Sequence, residues 1–163
     1  NMYKKTKNNK IYSNKCSFGL GVFAKKKIKK DDKILDFKGS IISSAEAKQR
    51  SSGNPLQIDK NKYIDLKKPG VLANHSCQPN AGIINNKELI AIRDISKDEE
   101  IFYDYSTTMD EDYWTMECKC GNQNCRQTIK DFKYLPKDVQ KKYLKLNIVQ
   151  SFIQKQNSPN TAS

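Results

Sequence analysis

Asn74-His75-Ser76-Cys77-Gln78-Pro79-Asn80 is built almost wholly from polar and turn-forming residues, and it carries the chain's single histidine. Such a stretch reads as a tight loop. A histidine between Asn and Ser in a turn is suited to structural hydrogen bonding, and Asn74 and His75 together offer amide and imidazole groups able to hold a buried turn or to read a purine. No Ser-His-Asp or Cys-His pair is specified by the sequence, so nucleophilic catalysis through His75 is not indicated. Cys77 stands where a turn can present a thiol.

The other cysteines make that thiol informative. Cys118, Cys120 and Cys125 form C-x-C-x4-C within Glu117-Cys118-Lys119-Cys120-Gly121-Asn122-Gln123-Asn124-Cys125. Thiolates this close can share one ion, Gly121 lets the loop wrap around it, and structural zinc takes four tetrahedral ligands. Three are local. The fourth is Cys77 or Cys16. A total of five cysteines is odd, which argues against a disulfide framework.

Around these loops the chain reads as short strands. Gly19-Leu20-Gly21 lacks the third glycine and the following helix of a dinucleotide site, and serves as a strand-initiating bend or a close backbone approach to a ligand. Strands are expected at Gly21–Ala24, Lys33–Phe37, Leu56–Ile58, Lys62–Leu66 and Ile101–Tyr105. A hairpin is expected over 81–95, turning at Asn85-Asn86. Ser43-Ser44-Ala45-Glu46 fits a capping box and predicts a short helix through Arg50, followed by a loop over Ser51–Pro55. Near the C-terminus Pro136 suits the first position of a helix, and Val139, Tyr143, Leu146, Val149 and Ile153 recur near helical spacing, with Asn147 as a corner between two short helices. Tyr103 and Tyr105, at i and i+2, are expected on one face, and a phenol can orient a reacting amine without itself reacting. The fold class is α+β, mostly β. The expected divisions are a basic N-terminal segment (1–15), a core (16–106), a cysteine lobe (107–130) that would not fold alone, and a C-terminal helical extension and tail (131–163).

Composition sets outer bounds. At 163 residues the chain reads as one domain, with 36% hydrophobic and 29% charged residues. No apolar run approaches the roughly 20 residues of a membrane span, so no membrane association is expected, and no secretory leader is read at the N-terminus. A reducing compartment is expected, cytoplasmic or nuclear, host-cell chromatin included. The net charge of +12 is mostly lysine, and reads as a solvated surface or as proximity to nucleic acid.

Four pieces, in order, resemble the SET-domain protein lysine methyltransferases with a post-SET cysteine motif, of a compact stand-alone type common in bacteria. They are Gly19-Leu20-Gly21-Val22-Phe23-Ala24, the Asn74–Asn80 stretch, Glu99-Glu100-Ile101-Phe102-Tyr103-Asp104-Tyr105, and Cys118 through Arg126. The resemblance covers about residues 16–130. It implies small curved sheets with a knot-like crossing of the Asn74–Asn80 and Ile101–Tyr105 segments, a zinc-binding post-SET lobe and C-terminal helices. It implies S-adenosylmethionine bound by Gly19, Leu20, Gly21, Asn74, His75 and Tyr105, and one structural zinc on Cys77, Cys118, Cys120 and Cys125, with Cys16 the odd thiol.

The substrate implied is a protein presenting a lysine, with Tyr105 as the catalytic tyrosine and Tyr103 limiting how many methyl groups are added, which favours mono- or dimethylation. This chain departs from the family at Phe37, where a tyrosine commonly helps hold the amine. It departs at Val71-Leu72-Ala73, where an arginine and an aromatic are usual, and at Gln127, where glycine is common. Two other readings stay open: a catalytically weak SET-fold binding module, for which Phe37 speaks, and a zinc-anchored nucleic-acid binder using the positive charge.

Overall fold

Short runs of β-branched and aromatic residues, broken every few positions by Gly, Asn or Asp, make short strands and several small sheets. The structure, a computed structural model, describes residues 8–50 and 54–157. Strands β1 (Ile11–Cys16) and β2 (Gly19–Ala24) form an antiparallel hairpin. Next come β3 (Lys33–Asp36), β4 (Gly39–Ile42), helix α1 (Ser44–Arg50), β5 (Pro55–Asp59), β6 (Lys62–Leu66), β7 (Asn74–His75), β8 (Ala81–Ile84), β9 (Glu88–Ala91) and β10 (Phe102–Tyr103). Strands β11 (Met116–Glu117) and β12 (Thr128–Ile129) and helices α2 (Lys137–Lys145) and α3 (Ser151–Gln156) complete the order. Among the described residues there are five sheets: β1-β2, β3-β9-β8, β4-β6-β5, β10-β7 and β11-β12. No helix among them is long and apolar enough to cross a membrane.

Local chemistry explains most boundaries. The Ser43 hydroxyl accepts from Glu46 N–H at 3.2 Å and the Glu46 carboxylate accepts from Ser43 N–H at 3.4 Å, so the capping box starts α1. Asn85 and Asn86 both take positive φ, 50° and 65°, which Asn tolerates and the tight β8–β9 turn requires. Strand β4 had no signal in the sequence, because Gly39-Ser40 is poor strand material. It forms because Gly39 lets the backbone close on β6, where a Cβ would stand 1.9 Å from the Asp65 carbonyl oxygen. Of the loop expected over Ser51–Pro55, positions 51–53 lie outside the described residues and Pro55 already opens β5.

The segment expected as a strand from Ile101 to Tyr105 is shorter. Only Phe102–Tyr103 pairs, in parallel with Asn74–His75. Asp104 then caps a 3-10 helix over Tyr105–Thr108 by accepting from Ser106 N–H at 3.0 Å, and the extended backbone stops there. Asn80 lashes the two segments together: its Oδ1 accepts from Phe102 N–H at 2.9 Å and its Nδ2 donates to the Glu100 carbonyl at 2.8 Å. One side-chain amide thus replaces a missing strand partner.

The main core joins Val22, Ile34, Phe37, Leu89 and Ile101 between the sheets. A second core under the C-terminal helices holds Phe132, Tyr143, Ile148, Phe152 and Ile153, packed against Ile84 and Ile92. Pro136 sits one residue before α2 rather than as its first residue, and Asn147, at φ 58°, turns the chain between α2 and α3. Ile148 seats on bare backbone at Gly82, where a Cβ would lie 2.6 Å from its Cγ2. Ile148→Ala empties this contact and is expected to cost about 2–5 kcal/mol, read as an earlier urea midpoint.

Candidate active site and cysteine cluster

Tyr105 opens the 3-10 helix that follows β10, and three contacts fix it. Its N–H donates to His75 Nδ1 at 3.0 Å, its hydroxyl donates to the Ala73 carbonyl at 2.7 Å, and its ring lies 4.8 Å from that of Tyr103. Phe37 meets Tyr103 edge-on at 5.6 Å, and His75 meets Tyr105 edge-on at 5.3 Å. The row Phe37, Tyr103, Tyr105, His75 is one aromatic wall. Burial pushes both phenols well above the usual tyrosine range, so they stay protonated at neutral pH.

Tyr105 lines two cavities. One, of about 270 Å³, is walled by Leu56, Tyr63, Tyr103, Met109, Tyr113 and Trp114, with Glu111 as its acid. The other, of about 210 Å³, is walled by Phe18, Asn74, His75, Met116 and the Cys118–Cys120 loop. Tyr103 faces only the first, and no described residue bonds its hydroxyl. Phe37 lines neither; it stands behind Tyr103, against Gly70.

The residues expected to hold a cofactor divide. Asn74, His75 and Tyr105 line the second cavity, whereas Gly19, Leu20 and Gly21 flank it through Asn74, whose Nδ2 donates to the Leu20 carbonyl and to Glu100 Oε2, each at 3.0 Å. A Cβ at Gly21 would come within 2.6 Å of Glu100 Oε2, so a side chain there would displace the carboxylate that Asn74 holds. Gly19, at φ 105°, leaves bare backbone facing open space. The Asn74 Oδ1 has no partner among the described residues and is available to a ligand's donor. Phe18 was not singled out in the sequence, yet it lines the cavity.

Cys77, Cys118, Cys120 and Cys125 bring their sulfurs within 4.8 Å of one another, while Cys16 lies apart, beside Asn74. Zinc–sulfur bonds of about 2.3 Å in a tetrahedron set sulfur–sulfur edges of about 3.8 Å. The Cys77–Cys118 separation is 3.7 Å. Burial pushes the Cys77 thiol up to about 11, and a cation at the centre of the cluster would reverse that. The Arg126 N–H donates to Cys77 Sγ at 3.4 Å, and His75 Nε2 lies 3.4 Å from it. Burial holds His75 down to about 4, and its Nδ1 already accepts from Tyr105. Its ring is therefore neutral, and the 3.6 Å approach of Nδ1 to Asp104 Oδ1 is a contact rather than an ion pair.

A buried network missed in the sequence joins these parts. Asp104, 1% exposed, receives Arg126 Nη2 on Oδ1 at 2.7 Å and the Tyr143 hydroxyl on Oδ2 at 2.8 Å. Nothing in local sequence pattern links positions 104, 126 and 143. Also missed was Tyr63, whose hydroxyl donates to Glu111 at 2.6 Å inside the first cavity.

Comparison with known proteins agrees with this architecture. A profile of the SET domain matches residues 19–106. The Caenorhabditis elegans histone-lysine N-methyltransferase mes-4 is 30% identical over 68% of this chain and 16% of its own length. An Aspergillus oryzae H3 lysine-4-specific histone-lysine N-methyltransferase is 32% identical over 77% and 12%. Human histone-lysine N-methyltransferase 2D is 32% identical over 74% and 2%. The chain thus spans a small part of each relative. Among solved structures, a humanized mutant of the Chaetomium thermophilum Polycomb Repressive Complex 2 superposes with a TM-score of 0.54 at 21% identity, covering 62% of this chain and 15% of that one. Mostly small β-sheets, a parallel β7–β10 crossing and the SET profile define the class. The chain belongs to the SET-domain family.

Tyr143→Phe leaves Asp104 Oδ2 buried without a donor. It is expected to cost about 1–3 kcal/mol in urea unfolding, while Tyr134→Phe, at an exposed phenol, shifts the midpoint little.

Proposed function

We propose that the chain is a protein-lysine N-methyltransferase that takes its methyl group from S-adenosylmethionine and carries one structural zinc ion. The observation that supports this best is that Tyr105 lines two cavities, one aromatic and one beside Asn74 and His75. A donor in the second and a lysine in the first would meet at this phenol. When bound, S-adenosylmethionine supplies a methyl group on a sulfonium, which an unprotonated amine can displace.

The chain's own residues account for the rest. Asn74 Oδ1 and the open backbone at Gly19 are the groups left free for the donor's polar edge. Lysine in water has a pKa of about 10.4 and is nearly all protonated at neutral pH. Tyr63, Tyr103, Tyr113 and Trp114 wall the substrate cavity, and desolvation there favours the neutral amine. The Tyr105 hydroxyl, held by the Ala73 carbonyl, and the unbonded Tyr103 hydroxyl orient that nitrogen, so alignment supplies the acceleration and water takes the proton. Cys77, Cys118, Cys120 and Cys125 would hold the zinc and tie the post-SET lobe to the Asn74–Asn80 loop, in a reducing compartment. The relatives' names make histones the first substrates to try.

Incubation with labelled S-adenosylmethionine and histones is expected to place label on lysine, and Tyr105→Phe to lower the rate about 10²–10³-fold. No label on histones or on the proteins of a whole-cell lysate under the same conditions would sink the assignment. Tyr103→Phe is expected to raise the number of methyl groups per lysine, read by mass spectrometry. Elemental analysis is expected to find one zinc per chain, with Cys77→Ser losing it; full zinc in that variant would overturn the ligand set.

A further inference from the structure

The positive charge is not evenly useful over the surface. Lys25-Lys26-Lys27-Ile28-Lys29-Lys30 is the densest run, but acids blunt it: Asp94 pairs with Lys27 Nζ at 3.6 Å and accepts the Lys30 N–H, and Asp31-Asp32 follow directly. The C-terminal extension differs. Positions 130–157 hold seven lysines against two aspartates, one of which, Asp131, is buried. Helix α2 turns Gln140 and Tyr143 inward and leaves Lys137, Lys141, Lys142 and Lys145 exposed, with Asp138 the only acid on that arc. None of those four lysines takes part in an ion pair among the described residues.

Lys137, Lys141 and Lys145 follow one another at i, i+4 and i+8, so they form a stripe along the helix about 12 Å long. Ahead of α2 the stripe continues into Tyr134, 59% exposed, whose ring lies 5.3 Å from Lys133 Nζ and 5.9 Å from Lys130 Nζ. Asp112 offsets one of these, pairing with Lys133 Nζ at 2.6 Å and accepting the Tyr134 hydroxyl at 3.1 Å, so Lys130 is the ammonium left without an ion pair among the described residues at the head of the helix. One strand of a duplex presents a phosphate every 3.4 Å or so along its axis, so a stripe of this length faces about three or four. An unpaired row of lysines is a partner for a repeating anion, which scattered and acid-paired lysines are not.

We propose that this face, Lys130 and Tyr134 followed by Lys137, Lys141 and Lys145 of α2, binds the phosphate backbone of duplex DNA without reading its sequence. It lies outside the SET match and stands independently of methyl transfer. A short labelled duplex is titrated with the full chain across a salt series, by fluorescence anisotropy. The triple variant Lys137→Gln, Lys141→Gln, Lys145→Gln is expected to flatten the dependence of log affinity on log salt by about three. The control Lys25→Gln, Lys26→Gln, Lys29→Gln removes the same charge and is expected to keep the steeper slope. Circular dichroism of both variants is expected to match the unchanged protein, since all six side chains are exposed. Equal loss in the two variants, no salt-dependent binding by the unchanged chain, or tighter binding of polyglutamate than of duplex at matched salt would each overturn the proposal.

Discussion

A carboxylate sealed from water must be matched by charge and hydrogen bonds, or it is too costly to keep. Asp104 is such a group, and two of its three partners arrive from distant parts of the chain. The Ser106 N–H comes from its own turn, the Arg126 guanidinium from the cysteine lobe, and the Tyr143 hydroxyl from α2. The turn that carries Tyr105 is therefore tied through one carboxylate to both the lobe and the C-terminal extension. Arg126 also donates its backbone N–H to Cys77, so the cysteine cluster and the Asp104 network share a residue.

The same economy of polar groups appears at Asn74 and Asn80. Each spends its side-chain amide inside the protein: Asn74 on the β1–β2 hairpin and Glu100, Asn80 on the backbone of Glu100 and Phe102. These bonds set the two crossing segments in register. The aromatic wall from Phe37 to His75 then divides the interior, with Tyr105 on the boundary between the two cavities. Phe37 packs behind Tyr103 and lines neither cavity, so the hydroxyl it lacks is missing from a packed position, and Tyr103 is left as the free phenol beside Tyr105.

Local chemistry made much of this visible beforehand. The capping box at Ser43–Glu46, the Asn85-Asn86 turn and the corner at Asn147 each follow from one residue's preferences, and each appears in the structure. C-x-C-x4-C brought three thiols together by spacing, whereas Cys77 joined them only through the fold. What stayed hidden depends on distant pairing. Strand β4 exists because Gly39 fits against Asp65, and β10 ends early because Asp104 caps a helix. The glycine pair near the hairpin tip reads alike in sequence, yet Gly21 serves packing and Gly19 faces open space. Tyr63 and Tyr143 read only as strand and helix residues, and Phe18 not at all, because what they do is set by partners far along the chain.

On the proposed function, methyl donor and lysine meet at Tyr105. A crystal structure of the chain with S-adenosylhomocysteine and a lysine peptide decides whether they do. The expected result places the thioether sulfur in the cavity beside Asn74 and His75, and the lysine nitrogen in the cavity beside Tyr103, with the Tyr105 hydroxyl between them. Both ligands in one cavity, or either bound away from Tyr105, would contradict it.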